Sequence, residues 1–138
     1  MARATGRTQA CSPGQGLTRL DQARRFLDVA ELVADQGDDR EYASVSASLA
    51  VLAGIAAADA ACCKALGRRS RGQDHHQAEE LVAQVEPGGK QASNALRRLL
   101  DLKEEAHYGF FDVGGNDLRA ALRQAEELVK FADDALSR

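Results

Sequence analysis

The stretch that decides the fold is Arg40–Leu66, REYASVSASLAVLAGIAAADAACCKAL. From Tyr42 to Ala58 it carries no charge, and Asp59 is the only charged residue between Tyr42 and Cys63. Leu49, Leu52, Ala56 and Cys63 fall along one helical face, and Ala50, Ala53, Ala57 and Ala60 offer small surfaces for close neighbours. Ala and Leu favour helix over strand. A helix apolar on most sides has to be surrounded by other helices. This segment is therefore read as the buried central helix of a bundle, with Gly67 as its C-terminal stop. The uncharged run is shorter and less apolar than a membrane span requires.

The flanking sequence supplies the neighbours. Leu20, Ala23, Leu27, Ala30 and Val33 recur at helical spacing and predict a helix over Thr18–Gln36. Asp21, Arg24, Asp28, Glu31 and Asp35 form its polar stripe. Asp74 with Gln77 makes a capping-box pattern for a short helix over His75–Val85, which Pro87-Gly88-Gly89 stops. Ala92, Leu96, Leu99, Leu100, Lys103 and Ala106 predict a fourth helix over Lys90–Tyr108. Leu118, Leu122, Ala125, Val129 and Ala132 predict a fifth, capped by Asn116 or Asp117, with Glu126 and Lys130 as a surface pair. The connections are short, so the expected architecture is all-α: an antiparallel up-and-down bundle of four main helices plus one short helix. Residues 17–138 form the domain. Residues 1–16, with Gly6, Ser12, Pro13, Gly14 and Gly16, are expected to be a disordered arm.

Composition narrows the function classes. The 138 residues fit one domain, and 44% are hydrophobic but only 4% aromatic, with no Trp, so the core is aliphatic. A net charge of −3 gives no general argument for nucleic acid. Cys11, Cys62 and Cys63 are an odd set with one adjacent pair, expected to be reduced thiols in a cytoplasmic protein. No membrane association, cofactor or bound metal is expected.

Four groups of residues are candidates for chemistry. Lys103 and His107 lie one helical turn apart, and Tyr108 follows. A histidine there is able to move a proton, and the lysine to hold or stabilise a phosphate. Asp74-His75-His76 is better read as a solvated helix start, because adjacent helical residues diverge by about 100°. Asp59 is expected either to face His107, Lys103 or an arginine of the fourth helix, or to sit on an exposed edge. Arg68, Arg69 and Arg71, together with Arg97 and Arg98, would make a phosphate-binding patch if the two groups converge.

Three segments, GIAAADAACCKALG, GQDHHQAEELV and ALRRLLDLKEEAHYG, resemble the HEPN superfamily, and in particular short actinobacterial proteins of that group. The resemblance spans roughly Thr18 to Ala135. It implies a helical bundle that dimerises and belongs to RNA-related or toxin–antitoxin systems. Some members of the family are metal-independent ribonucleases with an R-x(4–6)-H motif, and others are binding modules. Here His107 stands at the family's histidine. Lys103, with three residues between it and His107, replaces the arginine, and Arg98 lies farther upstream. The resemblance implies a homodimeric binding or regulatory module in which Lys103, His107 and Tyr108 line a pocket or dimer groove; Asp59, Arg97 and Arg98 join Tyr108 as binding candidates on their charge. Its partners would be RNA or a nucleotide, or a cognate antitoxin or nucleotidyltransferase. The alternatives are a ribonuclease using His107 and Lys103, and a purely structural bundle.

Overall fold

The computed structural model describes residues 7–36, 40–71, 75–108 and 113–138, with the backbone alone for residues 40, 75 and 104–108. Among them, five helices and one two-stranded sheet follow in the order β1 (Thr8–Ala10), α1 (Pro13–Ala34), α2 (Arg40–Leu66), β2 (Arg68–Ser70), α3 (His75–Ala83), α4 (Gly89–Tyr108) and α5 (Gly115–Leu136). The all-α bundle expected from the periodicity is the observed fold. Helices α1, α2, α4 and α5 are its main members, and α3 is the short one.

Helix α2 is the central element and packs against α1, α4 and α5. Its alanines Ala47, Ala50, Ala53, Ala57, Ala60 and Ala61 are wholly buried, so its neighbours approach its backbone closely. Gly54 marks the closest approach. A Cβ there would collide with Cδ1 of Leu99 on α4 and lie 3.1 Å from Cδ1 of Leu128 on α5. The remaining core is supplied by Leu20 and Leu27 of α1, Leu96, Leu99 and Leu100 of α4, and Ala125 and Leu128 of α5. The buried Ser46 hydroxyl donates to the Ala30 carbonyl at 2.6 Å, which satisfies it inside the α1–α2 contact.

Helix α2 corrects one expectation. Over Glu41–Leu66 it is long and apolar enough to cross a membrane, with a mean hydropathy of 1.8 in its most apolar window. The shorter run Tyr42–Ala58 understated this, because the helix continues through Ala60–Cys63. In the bundle 67% of that window is buried against other helices.

The N-terminal arm is the second correction. Residues 7–16 are ordered, as β1 and the first turn of α1. Ser12 caps α1 by accepting from the Gln15 backbone N–H, and the Gln15 side chain accepts from the Ser12 N–H. Pro13 sits in the first turn, where its missing donor costs nothing. Pro13, Gly14 and Gly16, which looked like breakers, are thus a helix start, while Gly6 lies outside the described residues. Gly16 is buried there, and a Cβ on it would meet the Ala60 carbonyl at 3.0 Å. Strand β1 pairs antiparallel with β2 in the register Thr8↔Ser70, Gln9↔Arg69 and Ala10↔Arg68, so the basic segment after α2 is a strand. Gly67 turns the chain between α2 and β2 with φ +72, the stop that was expected.

At α5 the cap is Gly114, without a side-chain hydrogen bond. Asn116 lies inside the helix, where its side chain accepts from Arg119. Lys130 pairs with Asp134 at 3.4 Å rather than with Glu126. Asp74, proposed as the cap of α3, lies outside the described residues.

Candidate functional site

Asp59 is the one charge in the apolar body of α2, and the structure pairs it with Arg19 of α1. Both Nε and Nη2 of Arg19 lie 3.4 Å from its Oδ2. The α1–α2 hairpin brings them together, since the Ser46–Ala30 contact fixes the antiparallel register several turns away. Burial holds the Asp59 carboxyl above its usual range, and the charges of Arg19 and Arg69 partly offset it. Among the described side chains, the charges beside Asp59 are thus an arginine on α1 and a second one on β2. An exposed edge is not its environment, and the His107 side chain named as its other candidate partner lies outside the described residues.

Arg69 reaches this place because β2 runs back across the end of α2. Its guanidinium donates to the Gln9 side chain at 3.1 Å across the ladder and to the Ser70 carbonyl at 3.2 Å. The ladder is extended by Cys11 N–H donating to the Gly67 carbonyl at 2.9 Å and Arg71 N–H to the Arg7 carbonyl at 2.8 Å. This sets Cys11 over Cys63, with Cα atoms 5.2 Å apart, and the two form a disulfide. The expectation of three reduced thiols is therefore wrong for Cys11 and Cys63. It rested on an arm without structure, which left Cys11 with no fixed position. The cytoplasmic placement loses the support it drew from those thiols. Cys62 is the free cysteine; it is buried, and desolvation pushes its thiol up to about 12.

These elements enclose a cleft of about 110 Å³, lined by Gln9, Cys11, Gln15, Arg19, Cys63 and Arg69. Its walls combine a disulfide, two guanidinium groups and two carboxamides. Such a cleft is suited to a small anion or polar group. A larger cleft of about 280 Å³ lies between the α3–α4 turn and the end of α5, lined in part by Gln91, Phe131, Asp134 and Arg138. Its charges are of both signs and offer no convergent chemistry.

The other expected site residues are more dispersed. Arg97 and Arg98 are exposed on α4, opposite the buried stripe of Ala95, Leu96, Leu99 and Leu100. Strand β2, with Arg68 and Arg69, lies against α2 and α3. The second basic group is thus divided: Arg69 turns into the cleft, while Arg68 and Arg71 stay exposed. Lys103 is half-buried on α4. The backbone of His107 and Tyr108 completes the last turn of that helix, and their side chains lie outside the described residues, as does that of His75. Among the described residues, no group of three or more His, Cys, Asp or Glu side chains is placed to hold a metal ion.

Sequence reasoning missed Arg19, Gln9 and Gln15. Arg19 sits on α1 among ordinary polar residues, and only the register of the hairpin singles it out. The Ser12-Pro13-x-Gln15 pattern was the available signal for the N-terminal part of the cleft.

No family model matches the chain, and no curated protein is similar to it at a significant level.

Proposed function

We propose that the protein is a helical binding or regulatory module that works as a homodimer through the outer face of α1 and α2. The observation that carries this reading is where its large apolar side chains are exposed. Leu17 (54%), Val29 (44%), Leu32 (65%), Tyr42 (47%), Val45 (50%) and Leu52 (40%) all belong to α1 or α2. Scattered single apolar residues need no explanation, but a contiguous row does. On α2, Tyr42, Val45, Leu49 and Leu52 follow at spacings of three, four and three, the seam spacing of paired helices. Farther along the same face Ala56 and Cys63 are buried, Cys63 beneath Cys11 and Gly16. The N-terminal half of the face lacks such a cover within the described residues.

A second copy suits the face for an electrostatic reason. A two-fold contact sets each patch against itself, so any net charge would meet its like. The α2 stripe is uncharged from Tyr42 to Ala58 and brings no such repulsion. The resemblance to the HEPN superfamily supports the same reading and adds its class of biology, an RNA-related or toxin–antitoxin system.

Light scattering on the purified chain tests the dimer. Wild type is expected at twice the chain mass at micromolar concentration. Val45→Glu with Leu52→Glu is expected at the chain mass, with its helical melting transition retained, since both positions are exposed. A monomeric wild type would sink the reading.

A further inference from the structure

The cleft beside the disulfide has features that dimerisation does not use. The Cys11–Cys63 bond forms part of its wall, so both sulfurs border a space of about 110 Å³. Arg19 and Arg69 line the same space. Asp59 offsets one of the two positive charges, which leaves the cleft cationic. The two cysteines differ in access. Cys11 is partly exposed after β1, whereas Cys63 is buried within α2.

We propose that this cleft is a site of reversible S-thiolation, at which a small thiol bearing carboxylates docks against Arg19 and Arg69 and exchanges into the disulfide at Cys11. Thiol–disulfide exchange needs an attacking thiolate, an accessible sulfur and a stabilised leaving thiolate. The arginines draw in the anionic thiol and favour its thiolate. Its sulfur bonds to Cys11 Sγ as the Cys11–Cys63 bond breaks. The electron pair departs on Cys63 Sγ, where the neighbouring guanidinium charges stabilise it before it takes a proton from solvent. The step consumes one thiol and yields one mixed disulfide and one free thiol, with no further oxidant or reductant. Cys62, the neighbour of Cys63, does not intercept the exchange: it is buried and stays protonated. The product has lost the covalent tie between β1 and α2, and β1 then keeps its ladder and the Arg69–Gln9 hydrogen bond.

Intact-mass and peptide analysis of the oxidised protein, incubated with glutathione or with uncharged 2-mercaptoethanol, tests this directly. Glutathione is expected to give one adduct, on Cys11. Arg69→Gln is expected to slow that reaction about three- to tenfold at low ionic strength, the scale of one nearby charge. It should slow 2-mercaptoethanol clearly less, because that thiol shares the leaving Cys63 thiolate but has no carboxylates to dock, and Arg69→Lys should keep the wild-type rate. Wild type supplies a second readout that needs no variant, because added salt should slow glutathione, with its carboxylates, more than 2-mercaptoethanol. The proposal is overturned by no adduct on wild type, by an adduct on Cys62 or Cys63 instead, or by two thiols that respond alike to salt and to Arg69→Gln. It stands independently of the dimer.

Discussion

A carboxylate with 13% of its side chain exposed needs compensation, and Asp59 receives it from Arg19, whose own side chain is 35% exposed. Removing one partner of such a pair costs more than the pair contributes, because the other charge is left buried. Arg19→Ala is expected to destabilise the fold by about 1–3 kcal/mol, and Arg19→Ala with Asp59→Asn by clearly less. A urea-denaturation double-mutant cycle at pH 7 measures this, and additive losses would show that the two residues do not interact. At this scale the sequence was half legible. Asp59 stood out because a lone charge in an apolar helix must be answered. Its partner did not, because interhelical register is a tertiary property, and Arg19 looks like any other residue of a polar stripe. Cys11 was illegible for a related reason: its pairing depends on a strand of three residues that only tertiary contacts hold in place.

At the scale of elements, α2 was the most legible. Its bounds and its Gly67 stop follow from composition and periodicity alone. Helix α1 was misplaced at its start, because Gly14 and Gly16 suggested a loop while Ser12, Pro13 and Gln15 made a cap. Gly54 shows why α2 is small-residue rich rather than merely helical. Alanine is the better helix former by about 1 kcal/mol, so an isolated helix would gain from Gly54→Ala. In the bundle the added methyl runs into Leu99 and Leu128, both wholly buried and unable to move freely. Overpacking of that kind costs roughly 1–3 kcal/mol and is expected to outweigh the propensity. Gly54→Ala should therefore lower the urea midpoint, and an unchanged or raised midpoint would mean that α4 and α5 yield at this point.

At the scale of the whole molecule, the bundle is closed by α1 meeting α5, and a pair of acids there sets a pH dependence. Arg24 bonds Asp133 at 2.5 Å and stabilises the contact. Farther along, Glu31 of α1 meets Glu126 of α5, so two acids share the same seam. The shared hydrogen bond with Glu126, then desolvation, then the charges of Glu126, Asp28 and Asp35 hold the Glu31 carboxyl above its ordinary 4.5. An acid raised in the folded state binds its proton more tightly there than in the unfolded chain. Its ionisation therefore costs stability. The cost is absent below 4.5, develops as pH rises through the raised value, and is constant above it. Asp59, also raised, acts in the same direction. Glu31→Gln removes the charge while keeping a hydrogen-bonding group opposite Glu126. Thermal melts of this variant beside wild type should show a higher Tm at pH 7, with the difference closing as pH falls below 4.5. A difference that stayed constant with pH would assign the gain to packing rather than to the charge at the seam.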